Sequence, residues 1–180
     1  FFKYNKDIPI GDGRGYEFVG KGWGWAQNAP FRQFKTWCYE GGVATPLIVR
    51  WPGKVARGSI THQVGHIIDI SATFRDITGA KYPKQILGNK TKPPVGKSLL
   101  PIFEGKAREP HEEIYWHFSR ANAVRQGDLK VVRAGKAWEL YDLKADPSEM
   151  NNLAKERPEK TAQLAKMWEA WRNDYKNKPK

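Results

Sequence analysis

The sequence predicts an α/β chain that ends in a small antiparallel sheet with one helix packed on it. Three observations carry this. Pro30 to Pro52, reading PFRQFKTWCYEGGVATPLIVRWP, joins a helical period to an apolar run through a double glycine. Residues 113–142 hold short strand-like runs separated by tight turns, and Pro158 opens a segment whose apolar residues recur at helical spacing.

In chain order, Gly11-Asp-Gly-Arg-Gly15 and Gly20-Lys-Gly-Trp-Gly24 show no period, so residues 1–29 are expected as a long surface loop. Trp23 and Trp25 either hold that loop down or line a substrate cleft. A glycine-rich phosphate cradle needs a strand before it and a helix N-terminus directly after, and Pro30 comes too late. Phe31, Phe34 and Trp37 or Cys38 then predict two helical turns over Arg32–Tyr39 behind Pro30, stopped at Glu40-Gly41-Gly42. Pro46-Leu-Ile-Val-Arg-Trp-Pro52 is expected as a strand covered on both faces.

Ile70, Phe74 and Ile77 predict a helix over Ile67–Thr78, with Asp69 as cap and Gly79 as stop, which makes Asp69 structural. His62 and His66 have the spacing of two helix-borne metal ligands, but no acidic partner completes a set. Pro83–Pro94 reads as a polar loop. The runs 113–118, 123–125, 129–133 and 137–142 are strands, and the turns Gln126-Gly127-Asp128 and Ala134-Gly135-Lys136 make neighbours antiparallel. Arg125 and Lys130 flank the first turn and are expected to be structural. From Pro158, the stripe Leu164, Trp168, Trp171 and Tyr175 covers the sheet. The expected division is 1–108 and 109–180.

The formal net charge of +12 and eight tryptophans invite a nucleic-acid reading. Basic and acidic residues are interleaved throughout, as in Lys155-Glu156-Arg157-Pro158-Glu159-Lys160, so no nucleic-acid partner is expected. A basic field suits anionic substrates equally well, because it concentrates them near a site. No run of 18 apolar residues is present, so no membrane span is expected, and no leader is visible. The single cysteine excludes an internal disulfide, and Cys38, set between aromatics, reads as a small buried hydrophobe. The length suffices for a sizeable core, although a strand at 47–51 that belonged to a larger sheet would expose edges in this chain alone.

The string K-x-W-x-x-E-G-G-x-x-x-P-x-I-x-x-W-P over Lys35–Pro52 resembles type I, formylglycine-dependent sulfatases of the arylsulfatase family and alkaline-phosphatase superfamily. The match continues through Gly65-His66-Ile67-Ile68-Asp69, Thr78-Gly79-Ala80, Gly96-Lys97-Ser98-Leu99, Ala123-Val124-Arg125-x-Gly127-Asp128-x-Lys130 and Trp138-Glu139-Leu140-Tyr141-Asp142-Leu143. It ends with Asp146-Pro147-x-Glu149-x-x-Asn152-Leu153-Ala154, and in this order the strings cover roughly Gly22 to Trp171.

The resemblance implies that residues 1–108 are the C-terminal part of a mixed-sheet sandwich and 109–180 the C-terminal subdomain. It implies hydrolysis of a sulfate ester, on a small molecule or a glycan. Lys35 takes the place of the family's sulfate-binding lysine. His117, at a strand end that in similar sulfatases reaches over the active-site mouth, is a candidate substrate contact; a strand histidine satisfied by a backbone partner is the structural alternative.

The family also implies calcium and a formylglycine made from C/S-x-P-x-R, neither of which this chain supplies. Cys38 is followed by Tyr39-Glu40, and Ser71-Ala-Thr-Phe-Arg75 fails at the proline. The calcium-binding aspartates have no counterpart, so an N-terminal catalytic portion is the expected partner and this chain alone is expected to be inactive. Family habit implies a periplasmic or extracellular parent. A phosphoryl or phosphonate hydrolase of the same superfamily, and a non-catalytic basic module binding sulfated glycans, are the alternatives.

Overall fold

The computed structural model describes residues 7–9, 12, 14 and 20–177. The expected Gly11–Gly15 loop therefore falls mostly outside the described residues. The chain forms two compact units: the residues up to Thr45 together with those from Glu113 onward, and Pro46–Glu112. The sequence expectation instead joins 1–108. The difference lies in the Arg32–Val43 stretch, whose side chains are tied to the C-terminal sheet, as the contacts below show.

In the first unit, strands β3 (Glu113–Phe118), β4 (Ala121–Gln126), β5 (Leu129–Arg133) and β6 (Glu139–Asp142) form a four-stranded antiparallel sheet in sequential order. Tight turns leave no other neighbour for each strand. The register Ala123↔Val132 and Val124↔Val131 fixes which face each side chain joins. Because successive strand residues alternate between faces, Val124, Val131 and Leu140 meet Leu153, Leu164 and Trp168 on one side. Ala123, Val132 and Tyr141 meet Cys38, Tyr39 and Leu143 on the other.

The first face is covered by α5 (Pro158–Asn177). Its stripe carries Leu164 and Trp168 into the core, while Trp171 stacks on Tyr115 at 5.0 Å and Tyr175 stacks on Trp171. Trp168 Nε1 donates to the carbonyl of Trp116, which satisfies the indole at the buried end of the stripe. The second face is covered by the segment around Cys38.

That segment is not the two-turn helix that its aromatic spacing predicts. Residues 31–39 run as bends and turns, and the helix α2 spans only Glu40–Val43. Gln33 and Thr36 adopt positive φ, 64° and 84°, which no right-handed helix accommodates. The double glycine accordingly does not stop a helix. A Cβ on Gly41 would strike the carbonyls of Arg32 and Gln33, and one on Gly42 those of Trp37 and Phe34. Glycine is required there because the preceding loop folds directly onto it. Upstream, Gly20–Ala26 forms α1 where a loop was expected; Gly24 faces the Phe34 ring and its carbonyl accepts from Asn28 Nδ2 at 2.6 Å, contacts that periodicity does not register.

In the second unit, Pro46–Pro52 forms no strand, and Ile48 is 91% exposed. A strand needs a hydrogen-bonded neighbour, and none of the described strands pairs with it. Helix α3 (Ile68–Thr78) ends as predicted at Gly79, left-handed at φ 69°. Within the expected polar loop, β1 (Gln85–Ile86) and β2 (Asn89–Lys90) make a short hairpin, and α4 (Leu100–Phe103) follows.

Asp69 lies inside the first turn of α3, after the cap position Ile67. Its buried carboxylate accepts from the His66 N–H at 2.8 Å, the Lys97 N–H at 2.9 Å, Arg108 Nη2 at 2.9 Å and His111 Nε2 at 2.7 Å. Burial alone would raise its pKa, but these donors favour the ionised form and hold it below 3.8. Asp69 is thus the tie between α3 and two later segments.

Candidate functional site

Lys35 sits at the crest of the turn between Gln33 and Thr36. Its side chain is exposed and makes no hydrogen bond or ion pair with a described residue. The loop beneath it is fixed at both ends. At the start, Arg32 Nη1 donates to Tyr141 Oη and to the Glu149 carbonyl, both at 2.8 Å, and its guanidinium lies 4.5 Å over the Tyr39 ring. Tyr39 and Tyr141 both donate to Glu139 Oε2, at 2.8 and 2.6 Å. Burial and that carboxylate push both phenols well above their ordinary pKa, so they remain donors.

At the end of the loop, the Glu40 N–H donates to Glu149 Oε2 at 2.6 Å and the Glu40 carboxylate accepts from Lys130 Nζ at 2.5 Å. The Gly41 N–H closes the loop on the Arg32 carbonyl at 2.9 Å. Lys130, expected to be structural beside the Gly127-Asp128 turn, is 0% exposed, with its ammonium 5.5 Å over the Trp116 ring. Its Nζ also lies 3.0 Å from Glu149 Oε1. That approach lacks hydrogen-bond geometry, so Oε1 is held by charge alone. Burial raises the pKa of the Glu149 carboxyl, with Lys130 and the Glu40 N–H opposing the shift.

His117 belongs to the opposite face. It alternates with Trp116 along β3 and its ring meets Trp168 of α5 at 5.8 Å. Its Nδ1 is 2.8 Å from Asn122 Oδ1, while Asn122 Nδ2 donates to the Arg120 carbonyl. That amide orientation makes Nδ1–H the donor in the neutral ring and leaves Nε2 as the acceptor. The partner is a side chain, not the backbone group of the structural alternative. No hydrogen bond or ring contact joins His117 to Lys35. What reasoning from sequence missed is the trio of the part-buried Glu40 and the buried Lys130 and Glu149, although all three stand in the family strings.

The described residues do not fit the two groups that the resemblance implies. Cys38 is 2% exposed and is a core residue, its thiol pushed up to about 11 mainly by burial. Among the described residues no three His, Cys, Asp or Glu side chains are placed to hold a metal ion. No helix among them is long and apolar enough to cross a membrane.

Residues 31–176 match the family model described as N-sulphoglucosamine sulphohydrolase, C-terminal. A sulfatase of Formosa agariphila is 33% identical over 157 residues, covering 77% of this chain and 28% of that protein. An N-acetylglucosamine-6-O-sulfatase of Bacteroides thetaiotaomicron is 29% identical, covering 79% of this chain and 27% of its own length. A solved structure from the glycosaminoglycan metabolism of Bacteroides thetaiotaomicron superposes with a TM-score of 0.63 at 28% identity, over 79% of this chain and 32% of that one. Another, in complex with its substrate D-glucosamine-2-N,6-O-disulfate, gives 0.53 at 29% identity, over 73% of this chain and 29% of that one. The chain thus spans less than a third of the length of these relatives. Matched over residues 31–176 by the family model, and at 33% identity over 77% of its length by a sulfatase, the chain belongs to the sulfatase family of the alkaline-phosphatase superfamily, as its C-terminal domain.

Proposed function

We propose that this chain is the C-terminal part of a sulfate-ester hydrolase, inactive alone, in which Lys35 binds the sulfate group of a sulfated glycan. The observation that carries the reading is an exposed ammonium, without a partner among the described residues, on a loop fastened at one end by the half-buried Arg32 and at the other by the buried Lys130 and Glu149. Left-handed backbone at non-glycine residues persists only where the surroundings over-determine it, and such residues cluster at functional sites. The names of the relatives support a sugar sulfate as substrate.

Hydrolysis breaks the ester and releases an alcohol and sulfate, with negative charge building on the sulfate oxygens and on the bridging oxygen. Lys35 offers a compact charge with three donors to those oxygens. Formylglycine and calcium, which supply the nucleophile and a Lewis acid in the family, belong in this reading to an N-terminal catalytic portion. His117, hydrogen-bonded and facing α5, is better placed to hold the β3–β4 turn than to contact substrate. Sulfate release from N-acetylglucosamine 6-sulfate by the full-length protein, with and without Lys35→Ala, tests the proposal; equal rates overturn it.

A further inference from the structure

We propose that Glu149 is a positioning residue for Lys35, an inference that rests on Lys35 as the sulfate-binding lysine. Glu149 is fully buried in the turn after β6 and adopts φ 58°. From there it reaches both ends of the loop. Its carbonyl accepts from Arg32 and its Oε2 accepts from the Glu40 N–H, while its Oε1 faces Lys130. Lys130 in turn holds the Glu40 carboxylate. The span from Arg32 to Glu40, with Lys35 at its crest, is therefore clamped through a single residue 109 positions from Glu40 in the chain.

A left-handed threonine and a left-handed glutamine within that span are kept in place only while both ends are held. Releasing the Glu40 end lets the turn relax and moves the ammonium that the turn carries. Glu149 touches no substrate in this arrangement. Its effect on turnover passes through the placement of Lys35, and displacements of about 1 Å at a reacting group lower rates by as much as a hundredfold.

The test uses the full-length enzyme with Glu149→Gln and Glu149→Asp, each in the native and the Lys35→Ala background. Sulfate release is measured alongside amide hydrogen exchange. Glu149→Gln is expected to lower kcat/KM on the order of tenfold to a hundredfold in the native background and by less than about twofold once Lys35 is gone, the signature of two residues acting as one unit. Exchange rises over residues 32–43 while β4 and β5 stay protected. Equal losses in both backgrounds, or no loss in the native one, overturn the proposal. If Glu149→Gln fails to fold, Glu149→Asp decides, because it keeps a charge opposite Lys130 while withdrawing the acceptor from the Glu40 N–H; the same pattern is expected. Full turnover in Lys35→Ala alone would instead remove the reading of Lys35, whereas loss there with none in the Glu149 variants removes only the positioning role.

Discussion

Lys130 and Glu149 face each other in the interior with neither side chain exposed, Nζ 3.0 Å from Oε1. Desolvating two charges offsets most of what their attraction returns, so the pair is weak evidence of stability as a pair. Removing one partner is another matter. Lys130→Met leaves two carboxylates beneath the sheet and is expected to cost about 3–5 kcal/mol, read as a loss of urea resistance. Lys130→Met with Glu149→Gln removes opposite charges together and is expected to be more stable than Lys130→Met alone; the reverse order would contradict a charge-balanced cluster.

Lys35→Ala removes an exposed side chain with no described partner, so the melting temperature should stay within about 1 °C, consistent with surface substitutions away from packing and pairing. Turnover of the full-length enzyme should fall on the order of a hundredfold to a thousandfold, the usual effect of losing one electrostatic stabiliser. A matched drop in stability would point to a structural lysine instead.

Gly41→Ala forces a methyl group against two backbone carbonyls that cannot rotate away. Overpacking of this kind costs about 1–3 kcal/mol. Gly135→Ala is the internal comparison, since nothing lies within 4 Å of a Cβ there. Thermal denaturation of the two variants should separate them clearly.

Asp69 supplies a pH dependence whose sign is fixed. Its folded pKa is held below the ordinary 3.8, so its contribution is complete above that value and is lost as pH falls through the folded pKa. Asp69→Asn leaves the buried Arg108 guanidinium uncompensated and should lower stability at pH 7 by about 3–5 kcal/mol. It should also flatten the stability curve below pH 3.8. An unchanged acid limb in Asp69→Asn would assign that limb to other carboxylates.

Cys38 is predicted to resist iodoacetamide at pH 8 in the native protein and to react on denaturation, because its thiol is buried and pushed up to about 11. Mass spectrometry of the alkylated chain reads this directly.

The sheet and its helix were legible because their signals are local. Short strand-like runs at 129–133 and 137–142, a glycine turn between strands and the stripe from Leu164 to Trp171 each dictate one answer. The Arg32–Tyr39 stretch was misread because Phe31, Phe34 and Trp37 have helical spacing in a segment whose backbone is set by distant partners. Lys130 was legible as a structural residue beside a turn, but not as a buried one. Its burial requires carboxylates 90 residues before it and on the turn after β6, which no window on the sequence reveals. Pro46–Pro52 kept its apolar composition and lost its expected conformation, since composition describes what a strand buries and pairing decides whether it forms.

The 109-residue separation between Glu40 and Glu149 also bears on how the molecule is made. During synthesis the Lys35 loop emerges well before the turn that fastens it, and contacts of such sequence separation form late. A nascent chain halted before β6 carries Arg32 without Tyr141 and the Glu149 carbonyl, and Glu40 with Lys130 but without the Glu149 carboxylate. If Lys35 binds sulfate as proposed, lesions after β5, from premature stops to mutations around Asp146–Glu149, would therefore leave a lysine that is present in sequence and absent in effect.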